Sequence, residues 1–359
     1  MMELARLPLR RLASRLTEGI DSTLVVLIVS LSMLGLAALF SASYENPARV
    51  VNQLVSLAVA LVAMWIVAQV PPQTLMRFAL PAYVIGLVLL LAVALAGDVV
   101  NGARRWLHIG VTRFQPAEMM KLALPMMLAW YFHRRESGLR LGDFAVGALI
   151  LIVPVAFIVR QPDLGTAALV AAAGFYVLFF AGLSWKVLGA VVGLLAASVF
   201  PLWGMLHDYQ RKRILTLLDP TQDPLGAGYH IIQSTIAVGS GGISGKGWLN
   251  GTQAHLEFIP ERHTDFILAV YSEEFGLIGN GVLLLLYALL IARGLMIAAN
   301  AATVFARLLA VAIALMFFTY AFVNMGMVSG ILPVVACRCR FSPMAAQRCS
   351  RCSSAPASS

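Results

Sequence analysis

Apolar residues run along this chain in unbroken stretches of about twenty, the length needed to cross about 30 Å of hydrocarbon at roughly 1.5 Å per residue. Nine such runs lie near 22–43, 51–70, 75–97, 116–132, 144–160, 164–182, 185–206, 266–293 and 303–325. They do not alternate polar and apolar positions as barrel strands do, and a helix satisfies its own backbone hydrogen bonds in lipid. The pattern predicts an all-α, polytopic transmembrane helical bundle. Composition agrees: 60% of residues are hydrophobic and 12% charged, about half the charged share of a water-soluble domain. No internal repeat and no separate soluble domain is legible, and no nucleic-acid partner is expected.

Four arginines, Arg6, Arg10, Arg11 and Arg15, precede the first run. Because that run is full length and no cleavage-type segment follows, they read as a cytoplasmic interfacial segment. This orientation also places Arg134, Arg135, Arg140, Lys186 and Arg293 inside, as the positive-inside rule prefers. It leaves the outer face unexpectedly basic, with Arg104, Arg105, Arg113, Arg160, Arg211, Lys212, Arg213, Lys246 and Arg262. Those cations serve either phospholipid headgroups or an anionic ligand outside. All four cysteines, Cys337, Cys339, Cys349 and Cys352, lie beyond the last run, so the bundle holds no disulfide or thiolate metal site.

The longest polar connection, 207–265, falls on the outer side, and function is expected there. It opens with a charged stretch, His207 to Arg213, then carries the glycine-rich run Gly239 to Gly247, suited to tight turns and close approach to a ligand. Lys246 is followed by Gly247 and no strand precedes it, so this is no nucleotide P-loop. Next come Glu261, Arg262, His263 and Asp265 at the mouth of the run from 266. Asp265 has two readings: a helix N-cap that satisfies free backbone N–H groups, or a general base that takes a proton from a sugar hydroxyl.

Glu273 and Glu274 lie eight and nine residues further on, roughly 12 to 13 Å along the helix and inside the outer leaflet, where ionisable groups are functional suspects. The alternative is a structural ion pair, with Lys121 as the expected partner. Glu118 and Lys121, spaced i, i+3, share one helix face. Arg160-Gln-Pro-Asp-Leu-Gly165 links two runs, and Pro162 with Asp163 reads as a turn and helix cap. Neither H-E-x-x-H nor G-x-S-x-G occurs, and no metal-ligand set is clustered, so zinc and hydrolase readings lack support.

Four blocks together resemble the SEDS family (shape, elongation, division and sporulation), most closely its RodA branch. They are Gly102 to Trp106 with Gln115 to Glu118 and Lys121; Arg160 to Thr166; Gly251 to Phe266; and Asn324 to Pro333. The resemblance covers the chain from the first run to about Val335. It implies a peptidoglycan glycosyltransferase that polymerises lipid II during cell elongation in the bacterial inner membrane. The implied partners are a class B penicillin-binding protein that crosslinks the product and other elongation-complex proteins. The family's essential aspartate matches Asp265. Arg104, Arg105, Lys121, Arg160 and Arg262 then become candidates to bind the lipid-linked pyrophosphate, with a divalent cation, Mg or Mn, as the candidate assistant, and Glu118, Lys246, His263, Glu273 and Glu274 become further candidates for substrate binding. A lipid II flippase and a non-catalytic scaffold are the rival readings; a flippase calls for charged sites reachable from both faces, whereas these residues crowd one.

Residues 1–335 read as one domain. From Ala336 the character changes abruptly: Val334 and Val335 enter an apolar run that breaks into Ala-Cys-Arg-Cys-Arg, and Arg338, Arg340, Arg348 and Arg351 forbid a tenth span. Restoring one G before the Ala336 codon permits Gly-Val-Pro-Leu-Pro-Phe and then Tyr-Gly-Gly-Thr-Ala-Leu, similar to the ending of RodA proteins. The reading is a frameshifted tail over 336–359; the alternative is a genuine disordered Cys/Arg/Ser tail.

Overall fold

The structure is a computed structural model; it describes residues 21–43, 47–100, 103–109, 112–136, 138–161, 163–190, 193–194, 197, 211, 215, 227–255 and 263–332. The helices are α1 (Ser22–Ala42), α2 (Pro47–Ala68), α3 (Pro72–Ala96), α4 (Pro116–Arg134), α5 (Leu141–Arg160), α6 (Leu164–Phe180), α7 (Ala227–Ser240), α8 (Thr252–His255), α9 (Ile267–Ala299) and α10 (Val304–Val328). Of these, α1, α2, α3, α5, α9 and α10 are long and apolar enough to cross a membrane. The transmembrane bundle is therefore as expected, but the count of nine is not reached among the described residues. Helix α4 carries Glu118 and Lys121 in its first two turns, α6 has 17 residues, and most of 185–206 lies outside the described residues.

Local chemistry sets the helix starts. Asp21 caps α1 by accepting from the Leu24 N–H at 2.9 Å. Asp163 caps α6, accepting from the Thr166 N–H at 3.2 Å and from its hydroxyl at 3.0 Å, as expected of the cap; Pro162, on which the expected turn falls, lies outside the described residues. Pro72 and Pro116 occupy first-turn positions where a missing N–H costs nothing. Helix α4 is the central element: Met120, Leu124, Leu128 and Ala129 are fully buried, packed among α3, α5, α6 and α10. In lipid such packing gains close van der Waals contact rather than release of water. Helix α2, by contrast, buries none of its residues.

Proline inside a span frees a carbonyl four residues back. Pro154 does this to Ile150 on α5, and the Tyr83 hydroxyl of α3 donates to that carbonyl at 2.8 Å, so the polar group is satisfied within the bilayer.

Two features depart from the expected pattern. The connection after α3 is not a plain loop: β1 (Asp98–Val100), β2 (Ala103–Ile109) and β3 (Thr112–Phe114) form a three-stranded antiparallel sheet in that order. Val100 pairs with Ala103 across Asn101-Gly102, and Ile109 with Thr112 across Gly110-Val111. Asn-Gly between strands is a strong hairpin signal. The polar connection 207–265 likewise contains α7, whose Ile231 and Ala237 pack with Phe266, Ala269, Val270 and Val328. At 14 residues it spans only about 21 Å, too short to register as a crossing.

Opposite ends of α1 and α9 meet. At one end Arg293 Nε donates to Asp21 Oδ2 at 3.1 Å, and this bond from the guanidinium holds the Asp21 carboxyl below the usual carboxylate range. At the other, Ser43 Oγ lies 3.1 Å from His263 Nδ1. The two helices are antiparallel, and His263 and Asp265 sit on the face opposite Asp21.

Candidate active site

The glycine-rich run and α9 form one structure. Helix α9 is broken at Gly276, whose φ of 62° and ψ of −156° end helical geometry and favour a residue without Cβ. A break in lipid leaves backbone groups that must find partners, and the glycine-rich run supplies them in both directions. The Lys246 and Gly247 N–H groups donate to the Glu273 and Glu274 carbonyls at 3.1 and 3.0 Å, while the Leu277 and Ile278 N–H groups donate to the Gly242 and Ile243 carbonyls at 2.9 and 3.1 Å. Gly245, at φ 78°, lies against the Glu274 backbone so closely that a Cβ would collide with it. The expected close approach occurs, with the chain's own helix as the partner.

Glu273 and Glu274 are fully buried at this break, 0% and 1% exposed. Glu273 Oε1 accepts from Lys246 Nζ at 2.6 Å, Thr252 Oγ1 at 3.0 Å and the Gln253 N–H at 3.0 Å. Ser41 of α1 donates to Glu274 Oε1. The expected pairing of these carboxylates with Lys121 is corrected: Lys121 bonds Glu118 on its own helix at 2.7 Å, one turn away, whereas Lys246 reaches Glu273 because the loop folds back onto the break.

Asp265 is half-buried just before α9. The N-cap position itself belongs to Phe266, which makes no side-chain cap bond; Asp265 therefore does not occupy the cap position the sequence suggested, because helical geometry begins one residue later. Its backbone carbonyl accepts from Asn324 Nδ2 of α10 at 3.5 Å. One turn back on α10, Tyr320 presents its ring to Lys121, whose ammonium lies 5.2 Å from the ring centroid.

Tyr320 and Asn324 also line a cavity of about 310 Å³ between α1, α9 and α10, together with Ile267, Leu268, Tyr271 and Leu34. Asp265 and Lys121 do not line the cavity themselves; two of its wall residues touch them, Asn324 at the Asp265 backbone carbonyl and Tyr320 at the Lys121 ammonium. Sequence reading did not single out Tyr320 or Asn324 as site residues. The available signal was their i, i+4 spacing, which puts two polar groups on one face of an apolar span.

Among the other candidates, Arg160 is exposed at the end of α5, beside the cap residue Asp163, whose Oδ2 accepts from Gln115 Nε2 at 3.3 Å. Arg104 and Arg105 lie on β2, with side chains outside what the structure describes. Arg262 lies outside the described residues, as does the whole tail 336–359. Among the described residues, no group of three or more His, Cys, Asp or Glu is placed to hold a metal ion.

A sequence model of the FtsW/RodA/SpoVE cell cycle proteins matches residues 22–341. The chain belongs to the FtsW/RodA/SpoVE family. Its relatives include the peptidoglycan glycosyltransferase MrdB of Escherichia coli K12, 49% identical over 88% of this chain and 86% of that one. A probable peptidoglycan glycosyltransferase FtsW of Trichlorobacter lovleyi is 34% identical over 93% of this chain and 88% of that one. Among solved structures, a chain of a peptidoglycan synthase complex that coordinates polymerization and crosslinking superposes with a TM-score of 0.74 at 36% identity, covering 88% of this chain and 89% of its own. The rod shape determining protein RodA of Thermus thermophilus gives 0.63 at 28%, covering 90% and 98%. The family resemblance carried by the four sequence blocks is thereby borne out, and the fold is that of RodA-like membrane proteins.

Proposed function

We propose that this chain is a peptidoglycan glycosyltransferase that polymerises lipid II at the outer face of the bacterial inner membrane, with Asp265 as general base. Its activity class rests on the 49% identity with a named peptidoglycan glycosyltransferase over most of both chains. The observation that supports the site is the cavity bordered by Asn324, which holds the Asp265 carbonyl, and by Tyr320, which carries Lys121.

In the reaction, the Asp265 carboxylate takes the proton of the acceptor sugar hydroxyl as its oxygen bonds to the anomeric carbon of the lipid-linked donor. The bond from that carbon to the pyrophosphate oxygen breaks with inversion, and undecaprenyl pyrophosphate leaves. Negative charge develops on the leaving oxygen, so fixed cations aimed there lower the barrier. Lys121, Arg104, Arg105, Arg160 and Arg262 are assigned that role. Lys121 is best supported, because its ammonium is buried against the ring of Tyr320, a residue of the cavity wall, rather than in bulk water, where the same charge is worth far less. At the helix break the Oε1 atoms of Glu273 and Glu274 accept from the chain's own donors.

The class B penicillin-binding partner is supported by the likeness to a chain of a complex that couples polymerization to crosslinking. The deciding experiment is lipid II polymerisation by the purified full chain with such a partner, resolved as glycan strands on a gel. Strands are expected with wild type and none without the chain; lipid II moved across vesicles with no strands formed would overturn the reading in favour of a flippase.

A further inference from the structure

Two helices measure the depth of the glycine-rich run independently. Along α1, Asp21 pairs with Arg293 at one end and Ser43 meets His263 at the other. Those ends are 22 residues apart (43 − 21), roughly 33 Å along the helix, close to the roughly 30 Å of a bilayer's hydrocarbon. Charged and polar groups at both ends fit its two edges, since ionisable groups deeper in are costly. Trp248 Nε1 donates to the Ala37 carbonyl at 3.4 Å, 16 residues beyond Asp21 (37 − 21) and so roughly 24 Å from that edge. The Leu277 N–H, which donates to the Gly242 carbonyl, is likewise 16 residues from Arg293 (293 − 277). The Ile278 N–H, bonded to the Ile243 carbonyl, lies one residue deeper. Both helices therefore put Gly242, Ile243 and the Trp248 ring below the opposite edge, by roughly 5 to 10 Å.

The run dips and returns. Gly241 sits against the Ser272 carbonyl, which a Cβ there would meet at 2.2 Å, and the Lys246 and Gly247 N–H groups come back to the Glu273 and Glu274 carbonyls. Ser272, Glu273 and Glu274 are 19 to 21 residues from Arg293 (293 − 274 and 293 − 272), roughly 28 to 32 Å, at the edge itself. Side chains sort accordingly. Lys246, at the edge, has its ammonium bonded to Glu273 and Thr252. Ile243, at the tip, is 71% exposed beside Leu277 at 66% and Ile278 at 62%. Trp248, half exposed, packs on Phe40 with ring centroids 5.8 Å apart. The Gly242 and Ile243 carbonyls are taken by α9 and the Gly245 N–H by the Gly241 carbonyl, so these polar groups do not need water at that depth.

We propose that residues 242–248 are a membrane-inserted tip: Ile243 and Trp248, together with Phe40, Leu277 and Ile278, pack against the acyl chains of one leaflet. The occupant follows from the sorting. A groove for a partner helix would show no order along the membrane normal. Here apolar side chains lie below the edge and the lysine on it, the arrangement of elements that sink about 5–10 Å into the boundary of headgroups and acyl chains. Aromatic rings are favoured at this level. The insertion holds whichever face is outside.

The test places a nitroxide on Ile243→Cys in the full chain, its four native cysteines replaced, in phosphatidylcholine vesicles. Collision with oxygen, which concentrates among acyl chains, is compared with collision with a water-soluble nickel chelate. One reference is Leu285→Cys, exposed on α9 eight residues from Arg293 (293 − 285) and so roughly 12 Å into the bilayer. The other is Gly138→Cys, exposed in the turn after α4. The oxygen-to-nickel ratio at Ile243 is expected well above that at Gly138 and approaching that at Leu285. Trp248→Cys should give the same rank, and it decides alone if Ile243→Cys fails to insert. A ratio equal to that at Gly138 would place the tip in water, and exclusion of both reagents would place it under protein; either overturns the proposal.

Discussion

Lys121 and Glu118 form an ion pair of 2.7 Å across one turn of α4, with the lysine side chain 8% exposed and the glutamate 56%. The burial is one-sided: the cation is held against the Tyr320 ring while its partner sits in the open. A screened, exposed carboxylate holds an ammonium weakly, so an incoming pyrophosphate displaces it at small cost. Lys121→Met is expected to reduce polymerisation by tenfold or more, about 1.4 kcal/mol or above in barrier. Glu118→Gln should reduce it less, since the amide still accepts a hydrogen bond. Initial rates at saturating lipid II measure both; equal losses would show that the pair works as one unit.

Asp265→Asn is expected to abolish strand formation while leaving insertion and melting behaviour intact. The amide preserves shape, and the bond from Asn324 goes to the backbone carbonyl, which the change leaves alone. An amide cannot take the proton. Near-normal polymerisation by a stably inserted Asp265→Asn protein would defeat the assignment. Arg262→Ala should weaken the reaction less, because it removes one of several cations.

The bundle was legible because twenty apolar residues in a row have few other uses, and Asp163 as a cap because Pro-Asp before an apolar run carries its own local chemistry. The β-meander was not: its strands of three to seven residues are too short to stand out beside apolar runs of about twenty. Nor were the partners of Glu273. Lys121 looked right by depth along its own helix, but Lys246 reaches the carboxylate only because α9 is broken at Gly276, and a single glycine in an apolar span does not announce a break. Tyr320 and Asn324 were visible as polar positions, yet what they adjoin depends on how α10 rotates against α4 and α9.

Tyr83→Phe is expected to cost about 1 to 2 kcal/mol, because the Ile150 carbonyl loses its donor inside the bundle. The apparent melting temperature in detergent should fall by a few degrees. Adding Pro154→Ala gives residue 154 an N–H that reaches the Ile150 carbonyl, so the double variant should recover most of the loss. Without recovery, the hydroxyl does not serve as the substitute for the missing proline donor.

The amino terminus is expected in the cytoplasm and residues 207–265 outside. After replacement of the four native cysteines, a cysteine at Gln222 should react with a membrane-impermeant maleimide in intact spheroplasts. Labelling only after lysis would reverse the orientation and with it the face on which Asp265 works.

Residues 336–359 are expected to be a reading-frame product. Val334 and Val335 enter an apolar run that stops at Ala336, and four arginines follow within sixteen positions (336–351), each costly in hydrocarbon. With one G restored before the Ala336 codon, the genetic code permits Gly-Val-Pro-Leu-Pro-Phe. Met344 and Ala345 then force a glycine codon, with tyrosine permitted before it and a second glycine after it. A chance match has to produce that forced glycine at the right place, which degenerate codons elsewhere do not help. The family match runs as far as residue 341, into the altered stretch. Restoring the frame should yield a protein with a further apolar span and a higher melting temperature than the present chain, because the added helix contributes packing that a charged tail does not. Resequencing the gene across the Val335 codon, with intact-mass analysis of the expressed protein, checks the point. A gene confirmed in frame to Ser359, whose product complements loss of the elongation polymerase, would overturn it.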